Sequence, residues 1–163
     1  MSLTTNGVSL VDIPIFSDIP PDAVKALCAR GRVASFDAGH LLFERRQDAT
    51  ELMILQDGIV ELLFPVSVLG ATREVAMESK RPGDVVAWSA LVSPYHFTLS
   101  ARCASHCTLT CLTREAIHLY FDTDPMTGYR FMNNLAGVIG RRLQAMQTTW
   151  MHDLQASLAK RLE

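Results

Sequence analysis

Four cysteines and five histidines are the side chains of this sequence with the most chemistry to offer. Cys103, Cys107 and Cys111 are separated by even spacings and lie beside His106. On one straight strand their sulfurs would share a face, as a metal or cluster site would need. The stretch from Ala104 to Cys107 reads as a turn, however, and no C-x-x-C pair typical of zinc occurs. Cysteine is also a common small core residue, so core packing or a surface thiol is the expected role and no metal is expected. His40 stands alone, and His96, His106, His118 and His152 form no His-x-His pair. No nucleophile elbow, phosphate-binding P-loop or dinucleotide glycine pattern is present, so the expectation is a protein that is not an enzyme.

The cations offer a second possibility. Arg141, Arg142, Lys160 and Arg161 fall on one long helical stretch, and a basic helix can contact nucleic acid. Four cations over that length read as a solvated face. The chain as a whole carries 15 Lys+Arg against 17 Asp+Glu, a net charge of -2, and so lacks the basic balance of most nucleic-acid-binding domains. No apolar run approaches the roughly 20 residues that cross a bilayer, so no membrane partner is expected. Met1 to Val11 has neither the charged nor the apolar region of a signal peptide. Reduced thiols and a cytoplasmic location are the expectation. With 163 residues and 48% hydrophobic side chains the chain suits one ordinary domain with a core of its own.

Three stretches differ in pattern. Residues 12–31 open with turn and helix-start residues, then place Ala23, Val24, Leu27 and Cys28 at helical spacing up to Gly31. Residues 32–112 read as short strands split by Gly and Pro turns, which argues for a sandwich or barrel. Gln56-Asp57-Gly58 looks like a hairpin turn between residues 51–55 and 59–64, and residues 97–104 and 108–112 look like a final strand pair. Ser67 to Gly70 reads as a looser turn. Residues 114–124 form a short helix or loop. Asp124 before Pro125 is an N-cap candidate with proline at the first helical position. A long helix over 125–162 follows, with Leu135, Ile139, Leu143, Met146, Trp150, Leu154, Leu158 and Leu162 at three- and four-residue spacing. The apolar stripe outlasts an ordinary helix, so it predicts a homodimer through this helix; a helix folded back on its own barrel is the other possibility.

This order of elements resembles the cyclic-nucleotide-binding domain family, in particular the effector domains of its catabolite-regulator branch. Asp12-Ile13-Pro14-Ile15-Phe16-Ser17-Asp18-Ile19-Pro20 is similar to the family's opening phrase. Phe36-Asp37-Ala38-Gly39-His40-Leu41-Leu42-Phe43 and Leu52-Met53-Ile54-Leu55-Gln56-Asp57-Gly58-Ile59-Val60 resemble two of its strand phrases. Arg81-Pro82-Gly83-Asp84-Val85 resembles the lead into its phosphate cassette, and Gly140-Arg141-Arg142-Leu143-Gln144 its dimer helix. The resemblance implies a mainly β fold with flanking helices: a β-roll, or double-stranded jelly roll, with a long C-terminal dimerisation helix. The family's transcription factors carry a helix-turn-helix domain after that helix; this sequence stops within or just after it, so no nucleic-acid-binding module is expected in these residues.

The resemblance also implies a site. In the family a Gly-Glu pair, an Ala-Leu pair and then Arg-Ser-Ala surround a cyclic phosphate, the arginine meeting its charge and the carboxylate the ribose hydroxyl. Aligned on the flanking phrases, these positions fall on Ala87 and Trp88, then Ser89, Ala90 and Leu91, then Phe97 and Thr98. The acid is thus replaced by Trp88 and the charge partner by Phe97, so cyclic AMP or GMP should bind poorly. His96 and Arg102 are candidate substitutes for the lost cation, each with a bland alternative as a loop or strand surface residue. The family's adenine-facing pair on the dimer helix falls on Met146 and Gln147. Trp88, Tyr95 and Phe97 are expected to fill the pocket, although ligand pockets are commonly apolar and another small-molecule effector fits that description.

The sequence therefore points to a non-enzymatic, effector-sensing regulatory module that signals through its dimer helix. Three alternatives stand beside it: an interaction domain whose pocket is filled by its own side chains, the ligand domain of a truncated transcription regulator, and a small metal-dependent cupin enzyme, which the unpaired histidines argue against. No cofactor is expected beyond a cyclic nucleotide or other small effector.

Overall fold

The computed structural model describes residues 4–5 and 8–162, with side chains from 9 to 160, so the side chains of Arg161 and Leu162, and much of Met1–Val11, lie outside the described residues. Two short strands, β1 (Thr4–Thr5) and β2 (Val8–Ser9), pair antiparallel. Two single 3-10 turns follow at Leu10–Asp12 and Pro14–Phe16, then helix α1 (Pro21–Cys28). Proline at the first position of α1 supplies a fixed φ where no N–H is needed. Val24, Leu27 and Cys28 make its buried face.

The β region forms two facing antiparallel sheets, a jelly roll. One sheet has the order β3 (Arg32–Phe36), β9 (Cys107–Thr113), β5 (Glu51–Asp57). The other has the order β4 (Leu41–Phe43), β8 (Ser100–Cys103), β6 (Val60–Val68), β7 (Ala71–Lys80). Here two sequence expectations are corrected. Asp57-Gly58 does not close a hairpin: β5 pairs with β9, while β6 pairs with β7 and β8. Likewise β8 and β9 do not pair with each other. Each of these turns carries the chain from one sheet to the other. The reason lies in burial: Leu52 to Gln56 are all buried, so β5 needs cover on both faces. Gly58 makes the crossing possible, with φ +92° and a position where a Cβ would sit 2.2 Å from the His106 carbonyl oxygen. The true hairpin is β6–β7, and its turn is tight rather than loose. Leu69 and Gly70 both have positive φ (51° and 81°), the two-residue primed turn that matches strand twist.

Helix α2 (Arg114–Thr123) starts where Thr113 Oγ accepts from the Ala116 N–H. Helix α3 (Pro125–Leu162) starts behind Asp124, whose carboxylate accepts from both the N–H and the hydroxyl of Thr127. Those bonds hold the Asp124 carboxyl below its ordinary pKa. Phe131 and Leu135 turn inward against Phe16, Leu27 and Leu112, with Phe131 tilted against both Phe16 and Phe121. Asn134 donates to the carbonyls of Ile15 and Ser17, and Arg130 to that of Asp18. The N-terminal segment is thereby clasped between the roll and the first turns of α3.

This division corrects the expected dimer seam. Leu135 is only 1% exposed and Ile139 packs on the same cluster, so both belong to the protomer's own core. From Leu143 to Lys160 every side chain is exposed. The stripe thus divides into a packed part and an exposed part, and the changeover falls at Arg142. Truncating Leu135 to Ala should cost about 2–5 kcal/mol of unfolding free energy, the range for a buried leucine. Denaturant melts at two protein concentrations check the assignment: a core residue gives the same loss at both.

Candidate functional site

The cassette begins at a bridge between Ile54 and Val85 and continues into a single 3-10 turn, Trp88–Leu91. Val86, Ala87 and Ala90 point into the roll and Ser89 is also buried. The loop after it is sewn to residues 46–49. Ala49 N–H donates to the Tyr95 carbonyl, Phe97 N–H to that of Gln47, and Arg46 N–H to that of Phe97. Tyr95 is held at φ +61°, with the Arg114 guanidinium 4.1 Å from the centre of its ring. Arg114 also donates to the Ala49 carbonyl, so one side chain ties both loops down.

That backbone decides where the side chains go, because neighbours in an extended segment alternate. Phe97 points inward. It is 7% exposed and stacks on Phe43, with ring centroids 3.7 Å apart and planes within 13°. Around the pair lie Ala49, Met53, Leu55, Val60, Leu62, Ala101 and Cys103. His96 therefore points outward, where its Nδ1 lies 3.4 Å from Asp48 Oδ1. Thr98 is exposed as well. Arg102 faces outward from β8 and donates to Glu61 across the strand pair at 3.0 Å. Met146 and Gln147 lie on the exposed part of α3. His96, Thr98, Arg102, Met146 and Gln147 thus do not converge on the cassette; Ala87, Ala90 and Phe97 pack into the roll, while Leu91 joins the cluster of the N-terminal segment and α3. Two surface hollows, of about 590 Å³ by Phe121 and Tyr129 and about 310 Å³ by Arg45 and Glu74, contain none of residues 87–98.

Trp88 behaves differently from Phe97. It is half-buried and packs against the core of the N-terminal segment and α3, not inside the roll. Arg142 of α3 lies over its ring at 5.8 Å. Arg142 was expected on a solvated face; its side chain is 15% exposed, and its Nε lies 3.0 Å from Glu78 Oε2. The other carboxylate oxygen of Glu78 accepts from Lys80, itself only 10% exposed. Glu78 pairs across the sheet with Leu62 and Lys80 with Val60, so both charged residues occupy the inner face of the edge strand β7. The alternation of β7 hides this in the sequence, where its polar residues read as outward and no stretch of apolar side chains marks an inner face.

The cysteines have no such convergence on a site. Cys28, Cys103 and Cys111 are buried, and desolvation pushes their thiols up to about 11, 12 and 11 respectively, so they stay protonated at neutral pH. Among the described residues no group of three or more His, Cys, Asp and Glu side chains is placed to hold a metal ion.

Comparison with known proteins agrees with this architecture. The family model described as "Cyclic nucleotide-binding domain" matches residues 33–124, more than half of the chain. The chain belongs to the cyclic nucleotide-binding domain family. Among solved structures, it is similar to a provisionally named cyclic nucleotide-binding protein from Geobacter metallireducens GS-15 (26% identity, TM-score 0.65, covering 79% of this chain and 91% of that one). It is similar too to the N-terminal domain of a transcriptional regulator from Streptomyces coelicolor A3(2) (18% identity, TM-score 0.70, 84% and 94%). A third is the Thermus thermophilus catabolite activator protein (21% identity, TM-score 0.71), where the match covers 84% of this chain and 61% of that one. No curated protein matches the sequence. The β-roll with its long C-terminal helix is thus the fold of a cyclic nucleotide-binding regulatory domain. None of its helices is long and apolar enough, among the described residues, to cross a membrane.

Phe97→Ala should destabilise the domain by about 3–5 kcal/mol, as for other buried aromatics. A denaturant melt measures it; a loss below about 1 kcal/mol would mean that the ring leaves the roll easily.

Proposed function

We propose that this chain is a non-enzymatic regulatory module that has kept the family's roll-to-helix coupling while closing its cyclic-phosphate cassette. The single observation that carries this reading is Phe97 stacked on Phe43 where the family's arginine would stand. A phosphate brought there would lose its water shell and meet only apolar side chains and backbone. Without a cationic partner the desolvation penalty amounts to several kcal/mol. Cyclic AMP and cyclic GMP are therefore not the effectors of this cassette.

The output side of the module is α3. Leu143, Met146, Trp150, Met151, Leu154 and Leu158 are all exposed, Trp150 to 70%. The segment from Leu143 to Lys160 would extend about 27 Å at 1.5 Å per residue, too long an apolar stripe to leave in water. A second copy of the same helix covers it most simply, giving a homodimer seam that begins where the protomer's own core ends. Motion of α3 relative to the roll would then reach both subunits, the two-state element that a regulatory domain needs. The cytoplasm suits the protonated buried thiols. The reading as an interaction domain with a self-filled pocket shares the Phe97 observation and differs only in whether any effector binds elsewhere.

Two measurements test this function. Isothermal titration with cyclic AMP and cyclic GMP should show no micromolar binding; a Kd in that range would overturn the closed-cassette reading. Light scattering at tens of micromolar should give a dimer for the native chain and a monomer for Leu154→Asp. A native monomer at that concentration would remove the proposed output.

A further inference from the structure

The charged cluster between β7 and α3 is unbalanced. Lys80 and Arg142 share one carboxylate, Glu78. Among the described residues no second Asp or Glu lies within ion-pair distance of either cation. Both cations are largely buried, while Glu78 keeps a third of its side chain in water. The Nε of Arg142 is buried and makes no aligned hydrogen bond although it lies 3.0 Å from Glu78. Two buried cations with one shared, partly solvated anion leave a local charge of one unit. A desolvated charge of that kind is costly unless an anion completes it. The third wall is aromatic: Trp88 lies under the Arg142 guanidinium.

We infer that this junction binds a small organic anion, one with a carboxylate or phosphate-monoester head and a flat apolar body. The head would accept from the Arg142 fork and from Lys80 Nζ, beside or in place of Glu78, because a guanidinium presents paired donors that match two oxygens of such a group. The body would lie against Trp88. The site is distinct from the cassette interior, which Phe97 fills, and recognises its ligand with a cation carried by α3 itself. A ligand here bridges the roll and the helix and competes with the Glu78 contact that now joins them. The inference rests on the regulatory reading only for that consequence; the binding site stands on the charge imbalance, the unsatisfied Arg142 Nε and the Trp88 ring.

The test uses the full chain and phenyl phosphate as probe, with benzoate, inorganic phosphate and uncharged phenol beside it. Calorimetry at low salt should show one phenyl phosphate or benzoate per chain, with inorganic phosphate weaker and phenol silent. Arg142→Gln and Lys80→Gln should each weaken the aromatic anions at least about tenfold, while Arg73→Gln, which removes the same charge from the exposed β7 hairpin arm, should not. Absence of heat with every anion up to about 5 mM, or equal weakening by Arg73→Gln, would overturn the site. Hydrogen exchange of the amides of residues 136–145 separates the two ideas. Binding with altered exchange supports both; binding with unaltered exchange supports the site and contradicts the regulatory coupling.

Discussion

The placement of one ring, Phe97, sets how the interior of the roll is packed. It stacks on Phe43 between the two sheets, among buried apolar side chains. Its position is not a local accident. The backbone around it is fixed by the ladder to residues 46–49 and by Arg114, which grips the Ala49 carbonyl and covers the Tyr95 ring. With the loop held in that register, inward Phe97 requires outward His96 and Thr98. The roll interior then becomes ordinary apolar core, continuous with Val60, Leu62 and Leu109.

Charge gathers instead where the edge strand meets α3. Glu78 and Lys80 occupy the inner face of the edge strand, where Arg142 can reach them from α3. Below Arg142, α3 is anchored by Phe131, Leu135 and the Asn134 and Arg130 bonds to the N-terminal segment. Above it, the helix has no contact with its own roll that buries a side chain. The Arg142–Glu78 pair is therefore the last tie between the two parts, and Trp88 links that tie to the cassette turn. Such a contact is partly buried and involves two charges and an aromatic face, so small changes of partner move its balance more than an apolar contact would.

The legible part of the sequence was the part written in turn residues and apolar periodicity. The resemblance to the family, the β-roll class and the Asp124-Pro125 start of α3 could all be read from it. Strand pairing could not. Asp57-Gly58 has the composition of a hairpin turn, and only the burial of β5 on both faces shows that Gly58 serves a crossing between sheets. The seam along α3 reads as one continuous stripe, because Leu135 and Leu143 are equally apolar and periodicity does not say which surface each one meets. At the site, the resemblance puts Trp88 and Phe97 at the family's charged positions, but their different destinations could not be read from it. The Glu78–Lys80–Arg142 cluster was invisible for a physical reason: polar residues on an edge strand look solvent-facing, and their partner comes from α3, with β8, β9 and α2 in between.

The central claim is that the roll interior is closed by Phe97 while the helix junction carries the charge. A crystal structure of the protein grown with millimolar cyclic AMP tests it most directly. The account predicts Phe97 still stacked on Phe43, with no nucleotide between the sheets. Phe97 swung out of the roll, with the cyclic phosphate in its place beside Ala87 and Ala90, would contradict it.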